Sequence, residues 1–466
     1  MGAEVKAGIE HLVVLMLENR SFDHMLGYLA LDSEVEGLDG LRPWMGNPLP
    51  GGGFAEVKPM GERLIHEKAL DPGHGRRDVA IQLEGGNQGF VKSYSESFAR
   101  NSKKHPPKDP IDFDPTLVLG YQEAKDVPVF DYIARNWGVC DRWFSSVPGP
   151  TWDNRMFALT GGIGDPVEID LPGDAADELV EHAPIYDRPA FTRHLRDGDW
   201  RWYSHDPATL RLADSRYRPG GQEGVGNDHN FAYFDRPTLL EPHTFLEDAA
   251  KGDLRRVSWI DPNFVDFRLF GPPGSNDDHP PSRVMLGQEL ALRVMKAVMT
   301  SPQWESSMLL ITYDEHGGFY DHVVPDSVSG GEEGETYGVR VPALVVSPFT
   351  DQRVSRTAFE HTSIAKTILQ LFGNADAVQA MGARVEQAND LGEFVTRDAP
   401  RPPASDEDLE ALETTIAAWK ERSYRKQMLE EPTAGERVSE AVTDLQQQVI
   451  GAALKLREWG LGPGRP

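Results

Sequence analysis

Cysteine is nearly absent from this chain. Its 466 residues include one, Cys140, so no disulfide can form within it. Cys140 ends an apolar stretch before Asp141-Arg142-Trp143, where a small buried side chain is the expected role. Positive charge is also scarce: 47 Lys and Arg stand against 74 Asp and Glu, a net charge of −27. That balance repels nucleic-acid backbones and anionic lipid surfaces, so no nucleic-acid partner is expected. A phosphate substrate is still allowed, because a bound metal or an arginine inverts the field locally. No run is long and apolar enough to span a membrane. The short run His11–Leu17 leads into polar residues and not into a small-residue cleavage site, so it does not read as a signal peptide. The expectation is a cytoplasmic chain, or a secreted or periplasmic one whose leader has been removed. With 39% hydrophobic and 26% charged residues the composition is that of a globular protein. No internal repeat is present, and the sequence does not speak to oligomeric state.

Apolar runs alternate with helical patterns along the chain. Leu12–Leu17, Val139–Phe144, Val257–Ile260, Met308–Thr312 and Val341–Val346 read as strands. Residues 128–137, 152–159, 283–300 and 359–372 read as helices, with Gly161-Gly162 stopping the second. Residues 34–64, 101–116 and 270–282 read as loop. Residues 163–250 read as a polar, irregular insertion with short helical pieces near 189–197 and 241–250. Residues 405–460 are charged and helix-prone, a peripheral tail. The alternation predicts an α/β fold with a mainly parallel central sheet flanked by helices. It also predicts a catalytic domain over 1–400 and a helical C-terminal extension over 401–466.

In such sheets, ligands bind beyond the carboxyl ends of strands. Two acidic clusters fall there: Glu18-Asn19 after the first strand, and Asp314-Glu315-His316-Gly317-Gly318 after the fourth. Adjacent buried acids are costly unless a cation is present, so metal ligation competes with a solvated turn. Thr151 follows Pro148-Gly149-Pro150 at a predicted helix start, where a hydroxyl is either an ordinary N-cap or a nucleophile beside unpaired N–H groups. Asn154 and Arg155, a turn further on, can reach phosphate oxygens. His74, His279 and His316 can bond phosphate or protonate a leaving group. His24, His322 and His361 read as structural, Ser21 as the cap of a helix over 22–29, and Arg20 as the ion-pair partner of Asp23.

These motifs resemble the phospholipase C/acid phosphatase family of phosphoesterases. Glu18-Asn19-Arg20-Ser21-Phe22-Asp23-His24 is similar to its N-terminal signature, and Pro148-Gly149-Pro150-Thr151 with Asn154-Arg155 to its nucleophile segment. Thr312-Tyr313-Asp314-Glu315-His316-Gly317-Gly318-Phe319-Tyr320-Asp321-His322 resembles its third signature; Gly338–Pro342 and His361-Thr362-Ser363 resemble later ones. The resemblance implies an alkaline phosphatase-like α/β fold and a hydrolase working through a phosphothreonine at Thr151. It implies Glu18, Asn19, Thr151, Asp314 and Glu315 around a divalent metal. That oxygen-rich set favours calcium, with zinc or manganese as alternatives. His74, His279 and His316 would contact phosphate or the leaving group, and Asn19, Asn154, Arg155 and Trp152 the substrate. The implied substrate is a phosphate ester, with phosphocholine-type phospholipids first and phosphomonoesters as the acid phosphatase alternative. Trp152 and Tyr320 are candidates for a wall against a trimethylammonium group. A non-catalytic metal- or phosphate-binding protein is the third reading. Asp153 departs from the proline usual before Asn154. The helical tail departs from the β-rich C-terminal domains of larger bacterial relatives.

Overall fold

A computed structural model of the chain describes residues 8–31, 35–61, 70–104, 106, 111–164, 185–205, 208–218, 228–235, 243–264, 275–280, 283–328, 335–429 and 448. The strands in chain order are β1 (His11–Leu17), β2 (Gly46–Pro48), β3 (Phe54–Glu56), β4 (Lys58–Pro59), β5 (Gly120–Tyr121) and β6 (Gly138–Cys140). There follow β7 (Trp200–Ser204), β8 (Phe231–Tyr233), β9 (Val257–Ile260), β10 (Ser307–Tyr313), β11 (Ala343–Val346) and β12 (Arg353–Ser355). Eight of them form one sheet in the order β12-β6-β11-β10-β1-β9-β7-β8. Only β11 runs antiparallel to its neighbours among these eight. This is the mainly parallel α/β sheet expected.

The central strands read as continuous hydrophobic runs because both faces are covered. Six of the seven residues of β1 are buried, and all seven of β10. Their register pairs Leu17 with Tyr313, so both chains leave the sheet side by side at its middle. Helices Pro128–Asn136, Thr151–Thr160, Val284–Met299 and Thr362–Phe372 lie close to the read boundaries. Gly161, in the left-handed region at φ 75°, ends the second, as a glycine C-cap should.

Some expectations are revised. Residues 163–250 are not merely an insertion: their described part supplies β7 and β8 to one side of the sheet. The aromatic run Trp200-Arg201-Trp202-Tyr203 hides this, because Arg201 is a buried ion-pair partner of Asp248 and not a surface residue. β11 starts at Ala343, since Pro342 has no N–H for the ladder. The helix read over 359–372 starts at Thr362, because Phe359 donates its N–H to Arg142 O and pairs with Trp143 in a bridge. The loop 34–64 holds the β2–β3 hairpin. Of the predicted tail, Asp406–Leu429 is one helix packed on Val284–Met299, with Lys296–Glu413 and Lys420–Glu289 ion pairs. Beyond it only Gln448 lies among the described residues. A satellite core of Leu41, Val79, Phe90, Val91, Tyr94, Val118, Phe319 and Tyr320 sets the described residues of 41–121 against the loop after β10.

Candidate active site

Where β1 and β10 end, their backbones are stitched together. Asp314 N–H donates to Leu17 O (3.1 Å), and Arg20 N–H to Glu315 O (3.0 Å). Asn19 N–H donates to Asp314 Oδ1 (3.2 Å). Asn19 has φ 58°, a left-handed conformation that few non-glycine residues accept and asparagine tolerates best. Gly317 is required opposite it: a Cβ there would lie 2.1 Å from Asn19 O. Glu18, Asn19, Asp314 and Glu315 are thus brought together with no exposed surface.

Thr151 is the first residue of its helix. The N-cap is Pro150, so the ordinary capping role is excluded for the Thr151 hydroxyl. Its Oγ1 instead donates towards Glu18 Oε2 (3.2 Å) and Asn19 Oδ1 (3.4 Å). The hydroxyl therefore sits between the positive end of a helix and the carboxylates of another segment. The local turn is built by Asn154: its Oδ1 accepts from Val147 N–H, and its Nδ2 donates to Val147, Gly149 and Pro150 carbonyls. Arg155 is equally committed. It is buried, bonds Glu18 Oε1 (2.6 Å) and Asp314 Oδ2 (3.2 Å), and lies over the Phe264 ring. The structure thus places Asn154 and Arg155 behind the cluster, as a turn brace and a counter-charge. Trp152 is nearly buried, and its indole N–H donates to Gln448 Oε1 (2.9 Å). Tyr320 packs edge-on against Phe90 in the satellite core.

The electrostatics are those of a site short of positive charge. Glu18, Asp314 and Glu315 face one guanidinium, Arg155. Burial holds the Glu18 carboxyl well above its usual range, with Asp314 adding and Arg155 opposing. Burial pushes Glu315 up to about 8, opposed by His74 and reinforced by Asp314. Glu315 Oε2 accepts the Gly317 N–H (2.7 Å), but its Oε1 is buried with no hydrogen-bond partner. A buried, unsatisfied carboxylate oxygen beside two further acids, an amide oxygen and a hydroxyl fits a hard divalent cation. The five residues expected to hold a metal, Glu18, Asn19, Thr151, Asp314 and Glu315, are neighbours here and offer oxygen donors only.

Three histidines differ by their partners. His74 Nδ1 faces Pro72 O (3.0 Å), which can only accept, so Nδ1 carries the proton. Its Nε2 then accepts from Asn19 Nδ2 (3.5 Å). His279 Nδ1 likewise donates to Pro280 O (2.7 Å), and its ring lies edge-on to His74 at 5.7 Å. His316 is different. Gln82 Nε2 donates to Gly73 O (2.7 Å), which orients the amide, so Gln82 Oε1 must accept from His316 Nε2 (2.7 Å). Burial pushes His316 down to about 3, with His74 adding. His316 Nδ1 also lies 3.3 Å from Glu315 Oε2, so both ring nitrogens are engaged, and burial favours the neutral ring. His361, read as structural, donates Nε2 to Asp314 O (2.5 Å) and so braces a ligand's backbone. Arg20 does not pair with Asp23; it donates Nε to Asp278 O (2.9 Å) and Nη1 to His24 Nε2 (3.2 Å). Gln82, Asp278 and the bracing role of Arg155 were missed, since each lies far in sequence from the acid pair it serves. Asp278 alone carries a local signal, standing beside His279 in Asn276-Asp277-Asp278-His279-Pro280.

A family model described as the phosphoesterase family matches residues 9–374, which include every residue of this cluster. The chain belongs to the phosphoesterase family. It is accordingly a hydrolase of phosphoric ester bonds. A non-specific phospholipase C of Arabidopsis thaliana is 32% identical over 78% of this chain and 68% of its own length. A phospholipase C of Mycobacterium tuberculosis is 28% identical over 78% of this chain and 73% of its own. Among solved structures, a protein in the alkaline phosphatase superfamily from Vibrio parahaemolyticus aligns over 65% of this phosphoesterase and 82% of its own chain. The identity is 10% and the TM-score 0.30. Among the described residues, no helix is long and apolar enough to cross a membrane.

Proposed function

We propose that this phosphoesterase is a phospholipase C-type phosphodiesterase that works through a phosphothreonine at Thr151. The observation that carries the reading is the Thr151 hydroxyl, held at a helix N-terminus 3.2 Å from Glu18 Oε2. A hydroxyl so placed is a poised phosphoryl acceptor. Glu18, Asn19, Thr151, Asp314 and Glu315 would hold a divalent cation, calcium before zinc or manganese by donor type. When bound, it supplies charge neutralisation at the phosphoryl oxygens and a lowered hydroxyl pKa.

The chain's own residues then divide the work. Glu18 Oε2 takes the hydroxyl's proton in the first step and returns it in the second, while Asn19 Oδ1 orients the oxygen. Oγ1 attacks phosphorus, the new P–O bond forms on Thr151, and the bond to the leaving alkoxide breaks. His279, entering the step as the imidazolium with its Nδ1–H on Pro280 O, gives that oxygen its Nε2 proton and is left neutral. His74, through Nε2, orients Asn19. In the second step a water oxygen attacks phosphorus and passes a proton back to His279. The P–Oγ1 bond breaks, Thr151 regains its proton, and a phosphomonoester leaves. Diester preference rests on the relatives described as phospholipases C.

The test is cleavage of p-nitrophenylphosphorylcholine and p-nitrophenyl phosphate side by side, with and without a chelator. Preferential cleavage of the choline diester, lost on chelation and restored by metal, is expected. Preference for the monoester would replace this reading with an acid phosphatase. No cleavage of either with added metals would leave a binding protein.

A further inference from the structure

Both acid-bearing strand ends converge on one residue, Asp278, whose side chain bonds Tyr313 and not Thr151 or the acid cluster. Asp278 accepts Arg20 Nε–H on its carbonyl (2.9 Å), so it is tied to the segment after β1. Its Oδ2 accepts the Tyr313 hydroxyl (2.5 Å), so it is tied to the last residue of β10. Its carboxylate also lies flat on helix Val284–Met299, where a Cβ at Gly287 would be 2.1 Å from Oδ1. The residue before it is tied as well: Glu18 N–H donates to Asp277 O (2.8 Å). Asp278 is fully buried and has φ 72°, one of three non-glycine residues with positive φ among the described residues. Such a conformation is retained only where the surroundings over-determine it. The left-handed turn it makes delivers the next residue, His279, whose N–H is then fixed on Asp277 Oδ1 (3.1 Å).

We infer that Asp278 is the positioning residue for His279: clamped by Tyr313 and Arg20, it registers the leaving-group histidine against the strand ends that carry the acids. This rests on the proton-donor role proposed above for His279. A small displacement of a proton donor is costly, because proton transfer needs hydrogen-bond reach. The displacement should matter most where the leaving oxygen most needs the proton.

The experiment compares choline-phosphate diesters with p-nitrophenol and with an unactivated alkyl alcohol as leaving groups. It uses the full chain carrying Tyr313→Phe, Asp278→Ala, His279→Ala and the Asp278→Ala/His279→Ala double variant. Tyr313→Phe removes the side-chain arm of the clamp and leaves Asp278 and its Arg20 contact in place, so the inference does not depend on Asp278→Ala folding. His279→Ala should slow the alkyl ester about a hundred-fold and the p-nitrophenyl ester less than about ten-fold. Tyr313→Phe should show the same asymmetry at roughly ten-fold on the alkyl ester, with KM and bound metal unchanged. Asp278→Ala should add nothing on top of His279→Ala. Equal slowing of both esters by Tyr313→Phe, or loss of metal in proportion to activity, would reduce the clamp to a structural role and overturn the inference. A His279→Ala variant with no leaving-group asymmetry would overturn the assignment of His279 itself, and the clamp's role with it.

Discussion

Two buried acid clusters lie within a few residues of each other on the same two segments, and they are built to opposite ends. Glu18 and Asp314-Glu315 form one. Asp23 and Asp321-His322, only five to eight residues on, form the other. The second is closed. Arg340, buried, bonds Asp321 Oδ1 (2.9 Å) and Asp23 Oδ1 (3.1 Å), and it stacks over Phe22. His322 bridges Asp23 (2.7 Å) and Asp39 (3.2 Å). Burial opposes the charge on His322, but Asp23 and Asp39 together outweigh it and raise the ring to about 10. Its hydrogen bond in turn draws Asp39 down to about 2. Asp23, Asp321 and His322 are close enough to hold a metal ion, yet two cations of the chain already serve them. The first cluster has one guanidinium for three carboxylates and leaves Glu315 Oε1 without a partner. Acid residues alone do not make a metal site. The clusters differ in protein cations, and the deficit in the first leaves a buried carboxylate oxygen without a partner.

The comparison predicts separable failures. The largest is Thr151→Val, which should lower turnover by at least about a thousand-fold with the circular dichroism spectrum and melting temperature kept. Full activity in that variant would remove the nucleophile from the open cluster. Next, Arg340→Leu should cost about 3–5 kcal/mol in urea titrations, because it strands buried carboxylates. Turnover per folded molecule should stay intact, and unchanged stability would mean the closed cluster is not held by charge. Third, Glu315→Gln should weaken metal binding by roughly 10–100-fold or more, while Asp23→Asn leaves metal content per folded molecule unchanged. Metal lost from both would erase the distinction between the clusters. The smallest effect is on pH. The folded pKa of His322 is raised from 6.5 to about 10, so its stabilisation is fully present below pH 6.5. It is lost as pH rises towards 10. His322→Gln should flatten the alkaline limb of the stability curve, and a limb of unchanged slope would assign the loss to other groups.

Periodicity and motif order carried far on this chain. The runs at 12–17, 257–260 and 308–312 are strands because all-round burial in a parallel sheet demands uninterrupted apolar residues. The acid pairs were legible as a candidate site because they follow such runs directly. Residues 200–204 were not legible as a strand, since the charge on Arg201 is met by Asp248 and Asp253, far along the chain. The same blindness hid Arg155. An arginine one turn after a threonine looks like a phosphate clamp until its carboxylate partners, 137 and 159 residues away, are seen.

By itself, then, the sequence determined the α/β class, the central strands and the residues of the open cluster, because those depend on local pattern and strand order. Only the tertiary structure decided that Thr151 turns to Glu18 and not to its own helix, that Gln82 fixes His316 as a neutral ring, and that Arg340 closes one acid cluster while the other stays open. Each of those depends on which buried groups find a partner across the fold, and the free energy of a buried charge is set by that partner rather than by its neighbours in the chain.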